Sequence, residues 1–267
     1  MSLGQMLLLN ALAIAGIMFL LWLVSLRMKD ASIVDIFWGL GFVVVAWVTF
    51  AMGLQHGRAV ILVALTSLWG IRLSTYLAWR NHGRGEDPRY GAMREHRGES
   101  FWWVSLFTVF ILQGAVMWVV SLPVQVGQFD ESPITVVAYA GIAVWSIGFF
   151  FEAVGDYQLA RFKLAEPKQP VLDHGLWRYT RHPNYFGNAM IWWGIFLVAV
   201  SMSTVWLIIS PLLMTFLLLK VSGVALLERD LSGRSEEYRQ YMKRTSSFIP
   251  WPPSGSRPNQ SGSGSSG

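Results

Sequence analysis

The sequence Gly175-Leu-Trp-Arg-Tyr-Thr-Arg-His-Pro-Asn-Tyr-Phe-Gly-Asn188 lies where two strongly apolar blocks of the chain meet. Its cationic and aromatic side chains are Arg178, Arg181, His182, Tyr179 and Tyr185. Guanidinium and imidazole groups suit phosphate or carboxylate, flat rings suit stacking, and Pro183 restricts the backbone. We therefore predict that this stretch binds an anionic, partly aromatic ligand. The alternative is that its basic and aromatic residues anchor a helix at a membrane surface.

The composition around this stretch is that of an integral membrane protein. Of the 267 residues, 53% are hydrophobic and only 14% are charged, and 14 are tryptophan. A net charge of +5 in so apolar a chain indicates membrane topology rather than nucleic-acid binding. Because the chain has no cysteine, disulfides, thiolate metal sites and a cysteine nucleophile are excluded.

Seven apolar stretches predict an all-α bundle of seven transmembrane helices. They are residues 5–26, 32–54, 59–79, 101–122, 133–151, 188–200 and 205–227, with the polar loop 80–100 and the acidic connection 123–132 between them. The first stretch is interpreted as a retained span rather than a signal peptide, because no cationic region precedes it and no small-residue cleavage site follows. We expect one membrane domain over 1–253 and a disordered Ser/Gly-rich tail over 254–267.

The distribution of basic residues predicts the orientation of the chain in the membrane. Lys and Arg number five in each of 80–100, 161–181 and 229–244, whereas the opposite connections hold only Arg58. The positive-inside rule then places the N-terminus outside and the C-terminus in the cytoplasm, in a bacterial inner membrane or the endoplasmic reticulum.

One charge lies inside each of the second and third predicted spans. Asp35 and Arg72 would each cost several kcal/mol in the bilayer unless paired or wetted. Gly39 and Gly41 permit close helix approach beside Asp35. The alternative for Asp35 is an interfacial position near the start of its span. Gln113 is predicted to form a helix–helix hydrogen bond.

The fifth helix is predicted to continue past the membrane to Lys163. Glu152 and Asp156, four residues apart, then share one helical face. No further His or carboxylate stands at helical spacing to complete a metal site, so we predict no metal and favour contacts to the ribose hydroxyls or an amide of a nucleotide. Lys220 and Glu228 lie about two turns apart on one side of the seventh span.

The order Arg181-His-Pro-Asn-Tyr-Phe-Gly187 resembles the C-terminal half of the steroid 5α-reductase family, and more loosely the isoprenylcysteine carboxyl and phospholipid methyltransferases. The resemblance is strongest over 152–252. It implies that NADPH binds inside a seven-helix bundle and that a lipophilic enone, such as a 3-oxo-Δ4-steroid, enters from the membrane. It further implies hydride transfer to the β-carbon and protonation at the α-carbon.

The resemblance also implies roles for individual residues. Asp156, Asn184, Arg72 and Tyr76 match the family in type, and Asp35 falls where the family has its substrate-facing Glu. Several positions depart from the family: Glu152 replaces Asn, Lys163 replaces Arg, Asn188 replaces Glu, Val34 replaces Gln and Trp69 replaces Tyr. We therefore expect a preserved cofactor site and an altered substrate site.

The predicted catalytic residues are Asp35, as a protonated hydrogen-bond donor to the substrate carbonyl, and Trp69, as a second donor through its indole N–H. The residues predicted to bind NADPH are Arg72, Tyr76, Asn81, Arg84, Glu152, Asp156, Lys163, Tyr179, Arg181, His182, Asn184, Tyr185, Lys220 and Glu228. We expect a monomer whose partners are membrane lipids and a lipophilic substrate.

Two other classes of function stay open. A membrane S-adenosylmethionine-dependent methyltransferase would use the same Arg-His-Pro motif and a C-terminal helix rich in Glu and Tyr over 228–241. A transporter or scaffold would account for intramembrane charges but not for the Arg/Tyr cluster. The chain has no Gly-x-Gly-x-x-Gly after a strand pattern and no Walker loop, so a Rossmann site is not indicated.

Overall fold

The computed structural model describes residues 1–167, 170–221 and 235–254, and these fold into helices. The α-helices are α1 Leu3–Met28, α2 Ile33–Met52, α3 Gly57–Asn81, α4 Pro88–Arg97, α5 Phe101–Ser105, α6 Leu112–Val120, α7 Leu122–Gly127, α8 Val136–Leu164, α9 Pro183–Ala199, α10 Ile209–Phe216 and α11 Glu236–Arg244. A π-helical segment, Leu106–Ile111, joins α5 to α6, and a second one, Leu217–Val221, follows α10.

The described residues contain five helical stretches that are long and apolar enough to cross a membrane. They are Leu3–Met28, Ile33–Met52, Gly57–Asn81, Pro88–Val120 and Val136–Leu164, with Val205–Val221 as a shorter apolar stretch. The prediction of an all-α, multi-pass membrane protein is confirmed at this level. The sixth and seventh spans stay predictions, because α9 is not among these stretches and residues 222–227 lie outside the described part of the chain.

The chain divides into two compact units. The bundle unit comprises Met1–Phe149 and Asn188–Leu217, and the motif unit comprises Phe150–Gly187 and Leu218–Gly267. The chain passes from one unit to the other within α8 and within α9. The expected single domain over 1–253 stays a prediction beside this division.

Helix α4 folds back along the helix that follows it. Its Tyr90 hydroxyl accepts a hydrogen bond from Gln113 Nε2 at 3.0 Å. The two residues would be about 34 Å apart in one straight helix, so the chain must reverse between them. The reversal occurs at Gly98, whose φ of +54° suits glycine. The apolar crossing therefore begins near Phe101, as the sequence predicts, and α4 occupies what the sequence indicates as a loop with short helical pieces.

Helices α2 and α3 make the closest approach in the bundle unit. A Cβ atom on Gly39 would lie 2.4 Å from the Gly70 backbone oxygen, and Ser74 Oγ accepts a hydrogen bond from Leu40 N at 3.0 Å. A Cβ on Gly41 would clash with the Met117 side chain at 2.4 Å. The predicted close packing at Gly39 and Gly41 is thus confirmed.

The predicted acidic connection over 123–132 begins as a helix, α7, whose residues are all buried. The polar Gln125 within it is satisfied inside the bundle unit. Its Oε1 accepts from Asn10 Nδ2 at 3.0 Å, and its Nε2 donates to Ser121 Oγ at 2.8 Å. Such pairing removes the cost of burying an amide.

A closed polar cluster, which we call the Arg58 cluster, lies at the start of α3. Arg58 pairs with Asp130 Oδ2 at 3.0 Å and donates to the carbonyls of Asp130 and Pro133 at 3.3 and 3.1 Å. Burial raises the pKa of Asp130, but hydrogen bonds from Ser132 and Ser201 and the Arg58 charge outweigh it and lower the pKa to about 2.

Candidate functional site

The first candidate site, the Asp35 cluster, connects the first turn of α2 to α4. Arg89 Nη2 donates to Asp35 Oδ2 at 2.8 Å, and the Tyr90 hydroxyl donates to Asp35 Oδ1 at 2.7 Å. Gln113 completes the chain by donating to Tyr90. Both carboxylate oxygens accept in this arrangement, as those of an ionised carboxylate would, and the predicted protonation of Asp35 stays a prediction.

The turn before α4 holds this cluster in place. Glu86 accepts from Ala31 N at 2.8 Å and from Arg94 Nη2 at 2.8 Å. Burial raises the pKa of Glu86, but these two donors outweigh it, so the net pKa lies below the usual value. Asp87 caps α4 by accepting from Arg89 N at 3.0 Å. The acidic turn thereby fixes α4 against the residues that precede α2.

Trp69 lies in an aromatic cluster within the bundle unit and is fully buried. Its ring centroid is 5.5 Å from that of Phe42 and 5.3 Å from that of Trp192, both edge-on. Such pairs stabilise a core by packing. The role of Trp69 as a donor to substrate stays a prediction.

The other predicted residues of the bundle unit lie along the last third of α3. The Arg72 guanidinium is 6.0 Å from the Phe149 ring centroid, and the Arg80 guanidinium is 5.9 Å from that of Tyr76. Asn81 closes α3, and its carbonyl accepts from Arg84 N at 3.1 Å in the following turn. These residues therefore occupy one end of a single helix.

In the motif unit, two predicted cofactor residues meet across 28 positions of sequence. Asn184 Nδ2 donates to Asp156 Oδ1 at 3.1 Å. Glu152 and Asp156 are only 3% and 5% exposed, one turn apart on α8. The predicted extension of this helix beyond the membrane-length stretch is confirmed, since α8 runs to Leu164.

The C-terminal segment 245–254 lies alongside the motif and shapes it. Arg181 N donates to Ser246 O at 2.9 Å, and Thr180 Oγ1 donates to Phe248 O at 2.9 Å. Trp251 N donates back to Tyr179 O at 2.9 Å. These bonds hold residues 179–181 against the segment, between the 3₁₀ turn Gly175–Arg178 and the start of α9 at Pro183.

Helix α11 adds a second set of contacts to the motif. Arg181 Nη1 donates to Met242 O at 2.7 Å, and the Tyr241 hydroxyl donates to Trp177 O. Burial raises the pKa of Tyr241 well above its usual range, which keeps it a neutral donor. Arg181, predicted to bind cofactor, is thus buried and has one of its donors on the protein backbone.

The remaining motif residues differ in exposure. The rings of His182 and Tyr185 lie parallel, with centroids 5.5 Å apart, and His182 is buried. Tyr179 is 42% exposed, and Lys163 and Lys220 are exposed as well. Glu228 lies outside the described residues.

Sequence reasoning missed Tyr90 and Arg89 as partners of Asp35. The local signal was present, because Asp87-Pro-Arg-Tyr90 carries a capping residue followed by proline at the first helical position. The prediction of a helix–helix hydrogen bond for Gln113 is confirmed, with Tyr90 as its partner. Sequence reasoning also missed the pairing of 245–254 with the motif.

These features define a multi-pass helical membrane protein with a carboxylate–tyrosine cluster in one unit and a buried acidic–amide cluster in the other. The chain belongs to the family described as a protein of unknown function (DUF1295), which matches residues 21–245. It is also similar to methanethiol S-methyltransferase 1 of Bradyrhizobium diazoefficiens, with 30% identity over 145 residues.

The alignment with this methyltransferase covers 49% of the chain and 47% of the relative, so the chain spans about half the length of the relative it matches. No solved structure matches the chain. Family membership supports the membrane-protein class, and the name of the relative does not favour a steroid reductase.

Proposed function

We propose that this chain is a membrane enzyme that uses NADPH to reduce the conjugated C=C bond of a lipophilic enone. The observation that carries the proposal is the hydrogen bond from Asn184 to the buried Asp156. The two residues match the resembled reductase family in type, and in the motif unit they form one polar group.

The donor and acceptor chemistry of the motif unit fits a nucleotide of this kind. Buried carboxylates such as Glu152 and Asp156 accept from hydroxyl and amide groups, and a dinucleotide supplies both through its riboses and its carboxamide. The exposed Arg178 can donate to phosphate, and the exposed Tyr179 offers a flat face for a ring.

Charge favours NADPH over S-adenosylmethionine. NADPH carries three phosphate groups, whereas S-adenosylmethionine carries a sulfonium cation. Arg72 lies eight residues before Arg80 on α3, so the two residues are about 12 Å apart along the helix axis. Two cations on one helix suit an anionic ligand better than a cationic one.

The Asp35 cluster suits the proton-transfer half of the reaction. Bound NADPH supplies a hydride for the β-carbon, and the α-carbon must then receive a proton. Tyr90 is the group of the cluster with a transferable proton beside a carboxylate, and Gln113 donates to its oxygen. In this proposal Tyr90 would donate the proton that the reduction requires, and Asp35, held by Arg89, would orient the hydroxyl and return a proton to it from water.

The test is NADPH oxidation by the purified protein with a panel of lipophilic enones. We expect oxidation that depends on enone and a product that has gained two hydrogen atoms. Tyr90→Phe should abolish this turnover, with Tyr139→Phe, an exposed tyrosine of α8, as the matched control. Full activity in Tyr90→Phe would remove Tyr90 from the mechanism, and absence of any enone-dependent oxidation would contradict the function.

A second candidate function is transfer of a methyl group from S-adenosylmethionine to a small acceptor. It is favoured by the name of the methyltransferase relative, which is 30% identical to this chain over about half of its own length. The buried carboxylates of the motif unit would also suit a cationic cofactor. Methyl transfer to thiols in the same preparation, without NADPH-dependent turnover, would establish this function instead.

A further inference from the structure

A groove of about 310 Å³ lies between α4 and the π-helical segment of the bundle unit. Its lining residues are Ala92, Met93, His96, Arg97 and Thr108. The lining from α4 is therefore apolar at Ala92 and Met93 and basic one turn further along, at His96 and Arg97. It is separate from the Asp35 cluster, which uses Arg89 and Tyr90 of the same helix.

The basic residues of α4 divide into two groups. Arg89 and Arg94 are each paired with a carboxylate, at 2.8 Å to Asp35 and to Glu86. In the described part of the chain, His96 and Arg97 make no side-chain hydrogen bond or ion pair, although exposed Glu95 and Glu99 are their sequence neighbours. The basic side chains of His96 and Arg97 are thus available to a ligand in the groove.

The aromatic residues that follow α4 locate the groove relative to a membrane surface. Trp102 and Trp103 are 56% and 48% exposed at the start of the apolar crossing, and Phe107 is 56% exposed one turn further on. Exposed tryptophans mark the headgroup level of a bilayer. His96 and Arg97 precede them by only a few residues, so the groove lies where lipid phosphates are.

The π-helical segment Leu106–Ile111 is a second, independent feature of the groove. A π-helical turn inserts extra width into a helix and occurs mostly at functional sites. Here it carries Thr108, whose hydroxyl donates to Val104 O at 2.9 Å while the side chain lines the groove.

We propose that this groove binds the headgroup of an anionic phospholipid from the surrounding bilayer. Arg97 and His96 donate to the phosphate, and Met93 and Ala92 contact the glycerol and the first acyl carbons. The commitment to a lipid rather than to free phosphate rests on the apolar half of the lining and on the exposed tryptophans.

The experiment measures lipid retention by native mass spectrometry of the full protein, delipidated and then supplied with phosphatidylglycerol or phosphatidylcholine. The test variant is His96→Ala/Arg97→Ala. The matched control is Arg27→Ala/Lys29→Ala, which also removes two exposed basic side chains near a helix end. A parallel arm supplies glycerol phosphate, which carries the same phosphate without acyl chains.

We expect the wild-type protein and the control to retain phosphatidylglycerol over phosphatidylcholine. In the test variant, the ratio of retained phosphatidylglycerol to phosphatidylcholine should fall at least about fivefold, which is the loss expected for one surface charge. Equal retention by test and control variants would overturn the proposal. Glycerol phosphate binding as tightly as the lipid would also overturn it, because the groove would then be a phosphate site.

Discussion

The bundle unit contains two carboxylate–arginine clusters that differ in how they meet solvent. In the Arg58 cluster the side chains of Arg58 and Asp130 are 1% and 15% exposed, and backbone carbonyls take further donors of the guanidinium. In the Asp35 cluster the side chains of Arg89 and Asp35 are 44% and 20% exposed, and a tyrosine shares the carboxylate.

The difference teaches which of the two clusters can do chemistry. An arginine that is 1% exposed and surrounded by backbone acceptors is closed to another molecule, and its loss leaves the charge of Asp130 unpaired. A partly exposed pair that holds a tyrosine hydroxyl keeps access to substrate. We therefore assign stability to the Arg58 cluster and reactivity to the Asp35 cluster.

The largest expected effect is on stability at the closed pair. Arg58→Met should lower the free energy of unfolding by about 3–5 kcal/mol, because it removes the buried partner of Asp130. Enone reduction by the surviving folded protein should be unchanged. Thermal unfolding in detergent measures the stability, and the reduction rate per folded molecule measures the activity. A lower rate with unchanged stability would contradict the assignment of stability to the Arg58 cluster.

The opposite pattern is expected at the open pair. Asp35→Leu should lower the rate of enone reduction about 100- to 1000-fold, as for loss of one oriented group in an active site. Asp35→Asn keeps an acceptor for Tyr90 and should retain part of the rate. Steady-state rates with saturating NADPH measure this, and wild-type turnover by Asp35→Leu would mean that the carboxylate only anchors α4.

The same contrast between closed and open can be tested on two arginines of the motif. Arg178 is exposed, so Arg178→Ala should weaken NADPH binding by about tenfold, the loss of one charge-assisted contact, with little change in stability. Arg181 is buried and donates to Met242 O, so Arg181→Ala should mainly lower the unfolding temperature. If both variants lost NADPH affinity with no change in unfolding temperature, the contrast between the two arginines would be contradicted.

A further effect at the closed pair is a dependence of stability on pH at Asp130. Its pKa of about 2 lies below the ordinary value of about 3.9, so its ionised form stabilises the fold above pH 4. That contribution is lost as the pH falls from about 4 through 2. The free energy of unfolding, measured from pH 5 to pH 2.5, should therefore fall more steeply with decreasing pH for wild-type protein than for Asp130→Asn. Identical slopes for the two proteins would contradict the ion pair.

Sequence patterns predicted the features that depend on local composition. The apolar stretches located the membrane-length helices to within a few residues, because span length follows from bilayer thickness. The spacing of Glu152 and Asp156 predicted the extension of α8, and the family resemblance selected Asp156 and Asn184, which do meet.

The features that the sequence could not predict depend on contacts between distant residues. The link between Asp35 and Tyr90 joins positions 55 apart, and the link between Tyr90 and Gln113 requires the reversal at Gly98. The acidic connection over 123–132 begins as helix α7, in which Pro123 lies in the first turn, where proline is tolerated. The bonds from 245–254 to the motif are backbone bonds, which leave no trace in side-chain patterns.

The central claim is that the protein binds an anionic nicotinamide dinucleotide rather than S-adenosylmethionine. Its most direct measurement is thermal-shift titration of the purified protein with the two cofactors, using Asp156→Ala as a variant and Asp173→Ala as its control. We predict that NADPH stabilises the wild-type protein and the control, and that Asp156→Ala loses this effect. Stabilisation by S-adenosylmethionine alone would contradict the claim and favour the methyltransferase.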